Sequence, residues 1–105
     1  HRALELALLG DNIDAAEALD LGLCNRVVPA AELESETRRL VERLANGPTL
    51  AFGRLRRLIR ESHQSSFEDQ LESEATGFQE CAATADFSEG VQAFLGKRRP
   101  TFQGR

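Results

Sequence analysis

From residue 33 to residue 95 the apolar side chains return at steps of three and four, the period that keeps them on one face of a helix, so the chain reads as mostly α. Leu33, Thr37, Leu40, Val41 and Leu44 make one stripe, with Glu34, Glu36, Arg38, Glu42 and Arg43 outside it, and this helix should stop near Asn46-Gly47-Pro48. Ala51, Phe52, Leu55, Leu58 and Ile59 make a second stripe, flanked by Arg54, Arg56, Arg57 and Arg60, and the polar stretch Ser62–Ser66 ends it. A third helix, opened by Ser65 and Glu68 as a capping box, carries Phe67, Leu71, Ala75, Phe78 and Ala82. It runs through Gly77, which costs about 1 kcal/mol relative to alanine. Asp86-Phe87-Ser88-Glu89 announces a short fourth helix with Val91, Phe94 and Leu95 turned inward, stopping at Gly96. The tail Thr101–Arg105 is expected to be extended.

Before residue 30 the pattern is more broken. Leu4, Ala7 and Leu8 fit a short helix ended by Gly10, and Asp14 with Glu17 forms a capping box for another ending near Gly22. Leu23-Cys24-Asn25-Arg26-Val27-Val28 is the only strand candidate, supported by its β-branched pair and by the stop at Pro29. The character changes after Pro29, which divides the chain into residues 1–29 and 30–105.

Charge narrows the classes of partner. The chain has 105 residues, 13 Lys+Arg against 17 Asp+Glu and a net charge of −4, with 41% hydrophobic residues, as expected of one soluble domain. Glu61, Glu68, Asp69, Glu72, Glu74, Glu80, Asp86 and Glu89 fall between residues 61 and 89 with no basic residue among them, a stretch that repels nucleic acid. The basic clusters Arg54–Arg60 and Lys97-Arg98-Arg99 are either anion sites or partners of that acidic stretch, and pairing is the preferred reading for Arg54–Arg60. Lys97 is the only lysine. No apolar run approaches the roughly 20 residues of a membrane span and no signal peptide is present, so a cytoplasmic protein is expected. Methionine is absent and the first residues already lie in a helical pattern, which suggests a piece of a longer protein.

Chemistry is harder to find. His63 lies in a polar turn, and Glu72, Glu74 and Glu80 fall on or beside the polar side of their helix, so none is assigned as nucleophile partner or acid/base. Cys24 and Cys81 are far apart without a CxxC pattern, which argues for two small apolar residues and against a disulfide or a metal site. No glycine-rich phosphate loop is present.

The order of segments is more informative than any one of them. Ala3-Leu4-Glu5-Leu6-Ala7-Leu8-Leu9-Gly10, Ile13-Asp14-Ala15-Ala16-Glu17-Ala18 and Leu21-Gly22-Leu23-Cys24-Asn25-Arg26-Val27-Val28-Pro29 follow one another, then Leu44-Ala45-Asn46-Gly47-Pro48, Glu74 with Phe78, and the ending Asp86-Phe87-Ser88-Glu89-Gly90-Val91-Gln92-Ala93-Phe94-Leu95-Gly96-Lys97-Arg98-Arg99-Pro100-Thr101-Phe102. Together they resemble the enoyl-CoA hydratase/isomerase (crotonase) superfamily over essentially all 105 residues. The resemblance implies the C-terminal helical part of a crotonase fold, with residues 1–29 as the end of the spiral ββα core, one short strand included, and residues 30–105 as a helical assembly domain. It implies acyl-CoA as the substrate of the parent protein and no further cofactor. The oxyanion amides and catalytic carboxylates of the family have no counterpart here, so the 105 residues alone are expected to be inactive.

The resemblance also implies a homo-oligomer, a trimer or dimer of trimers, and places Phe78 and Lys97 near the CoA adenine, often across a subunit boundary. A ring can stack on a purine and an ammonium can meet a phosphate. The alternatives are that Phe78 is a core residue and that Lys97 caps the helix before Gly96. Phe94 could line the acyl end, though core packing is its preferred reading. The stretch Gln70-Leu71-Glu72 with Asp86–Val91 is similar to the isomerase branch of phenylacetate breakdown, which places isomerase ahead of hydratase. The competing function is a stand-alone helical oligomerisation or partner-binding module without a ligand.

Overall fold

Wherever the period of three and four is unbroken, a helix forms. The computed structural model describes residues 1–105 as six α-helices: α1 (Arg2–Leu9), α2 (Ala15–Asp20), α3 (Leu33–Ala45), α4 (Thr49–Glu61), α5 (Phe67–Ala82) and α6 (Ala85–Leu95). A single 3₁₀ turn, Ala30–Glu32, leads into α3. The chain divides into two compact units, residues 1–36 and 37–105.

In the first unit, α1 closes at Gly10, whose N–H donates to the Leu6 carbonyl at 3.1 Å. Asp14 caps α2 by accepting from the Glu17 amide at 2.8 Å. At the other end of α2, Gly22 has φ 72°, a left-handed conformation that glycine adopts without steric cost. Its N–H donates to Leu19 O at 3.0 Å and the Leu23 N–H to Ala18 O at 2.9 Å, the paired bonds of a Schellman turn. Residues 23–28 do not form the expected strand. A strand is held by hydrogen bonds to a neighbouring strand, and these 105 residues supply none. The β-branched pair therefore has propensity without a partner, and the segment runs irregularly to Pro29, with Arg26 3.8 Å from Glu36.

In the second unit α4 packs on α5 and α5 on α6. Gly77 is buried where α5 meets α4, and a Cβ at that position would stand 3.4 Å from Leu58 Cδ1, an ordinary van der Waals contact. Arg54 and Glu80 bridge these two helices at 2.9 Å, which realises one of the pairings expected for the arginine cluster. Two helix starts lie off the predicted positions. The cap of α5 is Ser66, accepting from the Asp69 amide at 3.1 Å, and not Ser65; the two adjacent serines each have an acid three residues on. Likewise α6 begins at the Thr84 cap, which accepts from the Phe87 amide at 3.1 Å, and this places Asp86 inside the first turn.

The inward face of α6 also differs from expectation. Asp86, Gly90 and Ala93 face the rest of the unit, Ala93 being 1% and Asp86 4% exposed, while Phe94 and Leu95 are 82% and 75% exposed. Small residues permit the close approach, and the large ones stand outward. The stripe of α3 (Leu33, Leu40, Val41, Leu44) is exposed too, as are Phe52, Leu55 and Ile59 of α4 and Phe67 and Leu71 of α5. Both cysteines are half-buried free thiols.

Candidate functional site

A polar network joins α6 to the tail. The Asp86 carboxylate accepts from the Gln103 amide at 2.7 Å and the Gly104 amide at 2.8 Å, and the Asp86 amide donates to Arg105 O at 3.0 Å. One turn along, Glu89 takes the Arg98 guanidinium with both oxygens, at 2.6 and 2.8 Å, and also accepts from the Thr101 amide at 2.8 Å. The paired geometry is the strong form of an arginine–carboxylate contact. Arg98 first and the Thr101 amide second hold the Glu89 carboxyl down from 4.5 to about 2, and Glu89 raises Arg98 in return. The tail after Lys97 is thus held back against α6. It lays Phe102 against Gly90, and these residues with Phe87, Val91 and Phe94 border an apolar cavity of about 410 Å³.

The turn between α6 and this tail contains Lys97. Gly96 N–H donates to Gln92 O at 2.9 Å, Lys97 N–H to Phe94 O at 3.2 Å and Arg98 N–H to Ala93 O at 3.0 Å. These last two bonds again make a Schellman turn, but the left-handed position is held by Lys97, with φ 49°, the only non-glycine residue at positive φ. A side chain there costs about 1–2 kcal/mol. Gly96, one residue earlier, has an ordinary φ of −79°. Because backbone amides already serve the last carbonyls of α6, the Lys97 side chain is not needed as their cap.

Phe78 lies on α5 and is 64% exposed, so it is not a core residue of this chain. Its ring meets Phe87 edge to face, with centroids 6.0 Å apart and planes at 89°. Phe87 is in the first turn of α6 and Lys97 follows its last, about 15 Å along the axis at 1.5 Å per residue. The structure therefore sets Phe78 and Lys97 at opposite ends of α6 and does not bring them together within one copy. Phe94, expected to pack inside, is instead exposed one turn before Lys97. Sequence reasoning missed Asp86, Glu89 and Arg98 as a network. The only signal for it was charge at fixed places in the Asp86–Phe102 ending, and the amides that Asp86 accepts from lie 17 and 18 residues away.

A sequence model of the enoyl-CoA hydratase/isomerase family matches residues 1–105. The chain belongs to that family. Among its enoyl-CoA hydratase/isomerase relatives, a probable enoyl-CoA hydratase of Rhodobacter capsulatus is 39% identical over 104 residues, covering 99% of this chain and 40% of the relative. The 1,2-epoxyphenylacetyl-CoA isomerase of Escherichia coli is 35% identical over the same coverage. The crystal structure of an enoyl-CoA hydratase/isomerase from Mycobacterium abscessus superposes with a TM-score of 0.95 at 40% identity, over 99% of this chain and 40% of that one. The chain thus spans about 40% of the length of the family members it matches, and as a helical unit it corresponds to part of their fold. Hydratase and isomerase names both occur among the relatives. No helix is long and apolar enough to cross a membrane.

Proposed function

We propose that this chain is the C-terminal helical part of an acyl-CoA hydratase or isomerase, and that it serves subunit assembly and the CoA side of the active site, not the bond-making chemistry. The carrying observation is the outward apolar surface: Phe94, Leu95 and Phe67 stand in solvent while almost nothing is buried. Exposed apolar area on this scale needs a cover. The remainder of the parent enzyme and neighbouring subunits supply it in this reading, as a trimer or dimer of trimers. The enolate-like intermediate of an acyl-CoA thioester is then stabilised by backbone amides, and its protons are moved by carboxylates, all outside residues 1–105. Isomerisation is favoured over hydration by the Gln70-Leu71-Glu72 and Asp86–Val91 stretches.

Within this scheme Phe78 offers a ring to the adenine and Lys97 an ammonium to a phosphate or ring nitrogen of CoA. Their separation along α6 suits a site completed by two copies. Lys97→Ala in the complete enzyme is expected to raise the acyl-CoA dissociation constant about tenfold, equivalent to one charge-assisted contact, with the assembly mass by light scattering unchanged. An unchanged affinity would overturn the CoA assignment and favour the assembly module without a ligand.

A further inference from the structure

The chain's only lysine stands at the one non-glycine position with a left-handed backbone, although a glycine is available one residue earlier. A strained residue persists where its surroundings over-determine it, and at Lys97 they do so from both sides. Upstream, the Lys97 and Arg98 amides are tied to Phe94 and Ala93. Downstream, Glu89 grips the Arg98 guanidinium and the Thr101 amide, and Asp86 grips Gln103 and Gly104. None of these bonds uses the Lys97 side chain, so the restraint acts on the direction in which that side chain leaves the backbone.

We propose that Glu89 is a positioning residue for Lys97: through Arg98 and the Thr101 amide it holds the left-handed turn that presents the ammonium to a phosphate of coenzyme A. This rests on the CoA reading given above. Glu89 itself touches no ligand. The role of Asp86 is to keep the end of the tail in place, whereas Glu89 fixes the residues adjoining Lys97. A freed turn would let the lysine relax toward right-handed or extended backbone and swing its ammonium away.

The test measures coenzyme A dissociation constants and steady-state rates in the complete enzyme for Glu89→Gln, Arg98→Gln, Lys97→Ala and the Glu89→Gln/Lys97→Ala pair. Glu89→Gln and Arg98→Gln should each weaken coenzyme A binding about three- to fivefold and raise KM with kcat unchanged, the size expected of a contact loosened but not deleted. On the Lys97→Ala background Glu89→Gln should add nothing, because its effect runs through the lysine. Acetylation of Lys97, read by peptide mass, should be slowed by coenzyme A in the unaltered protein and less so in Glu89→Gln. Arg98 is exposed, so Arg98→Gln decides the matter if Glu89→Gln fails to fold. If Lys97→Ala leaves affinity unchanged, the CoA reading itself falls and the proposal with it. Should Lys97→Ala weaken binding while Glu89→Gln and Arg98→Gln do not, only the positioning role is overturned. Full additivity in the pair also overturns it, since Glu89 would then act on the fold and not through Lys97.

Discussion

The ends of α2 and α6 close with the same two backbone hydrogen bonds, yet one has Gly22 in the left-handed position and the other Lys97. At Gly22 the conformation is free of steric cost, and the chain leaves the helix irregularly, with the looser Arg26–Glu36 contact at 3.8 Å following it. At Lys97 the conformation is costly, and the following residues are clamped by Glu89 and Asp86. Identical local geometry is therefore reached in two ways: by backbone preference alone, or against preference with a downstream restraint. The second way is what one expects where the side chain matters for something other than the turn.

The largest test of this contrast removes the restraint. Asp86→Ala strips the acceptor from the Gln103 and Gly104 amides at a buried site, and should cost about 3 kcal/mol in a denaturant titration, with both amides losing protection from hydrogen exchange. Next, Gly22→Ala should cost about 1–2 kcal/mol. A Cβ at Gly22 meets nothing within 4 Å, so the loss would report backbone strain alone. Conversely, Lys97→Gly should stabilise the chain by about 1 kcal/mol by relieving the same strain, while coenzyme A affinity in the complete enzyme falls. A destabilised Lys97→Gly would show that the two turns are not equivalent.

The smallest expected effect is a pH dependence at the α6 clamp. Glu89 has a folded pKa of about 2 against an ordinary 4.5, so its contribution is complete above about 4.5 and is lost as pH falls from there through about 2. The protection of the Thr101 amide, its exchange relative to the intrinsic rate at each pH, should fall over that interval. In Glu89→Gln it should not follow the same titration.

Elements held by local rules were legible in the sequence, and elements held by distant ones were not. The stripes of α3, α4 and α5, the Gly10 stop and the Asp14 cap all follow from residues within four positions of one another. At Ser65-Ser66 the local rule was ambiguous by one residue. Val27 and Val28 signalled a strand because propensity is local, whereas pairing requires a second strand. Asp86 looked like a helix-start residue because that is what an acid at such a place does most often. Its partners lie past the far end of α6, and only folding brings them back. The family ending was visible as a string of letters, but the fact that Glu89 and Arg98 in that string bind each other was not.

A single lysine in residues 1–105 also means that within them a single peptide bond is open to a protease cutting after lysine, that between Lys97 and Arg98. Cleavage there would place Arg98, Thr101, Gln103 and Gly104 on one piece and leave Glu89 and Asp86 on the other. The clamp would then join two molecules instead of two parts of one, and the piece would stay or depart according to those few contacts. Protease digestion thereby turns the tail into a peptide ligand whose hold on α6 can be weighed directly.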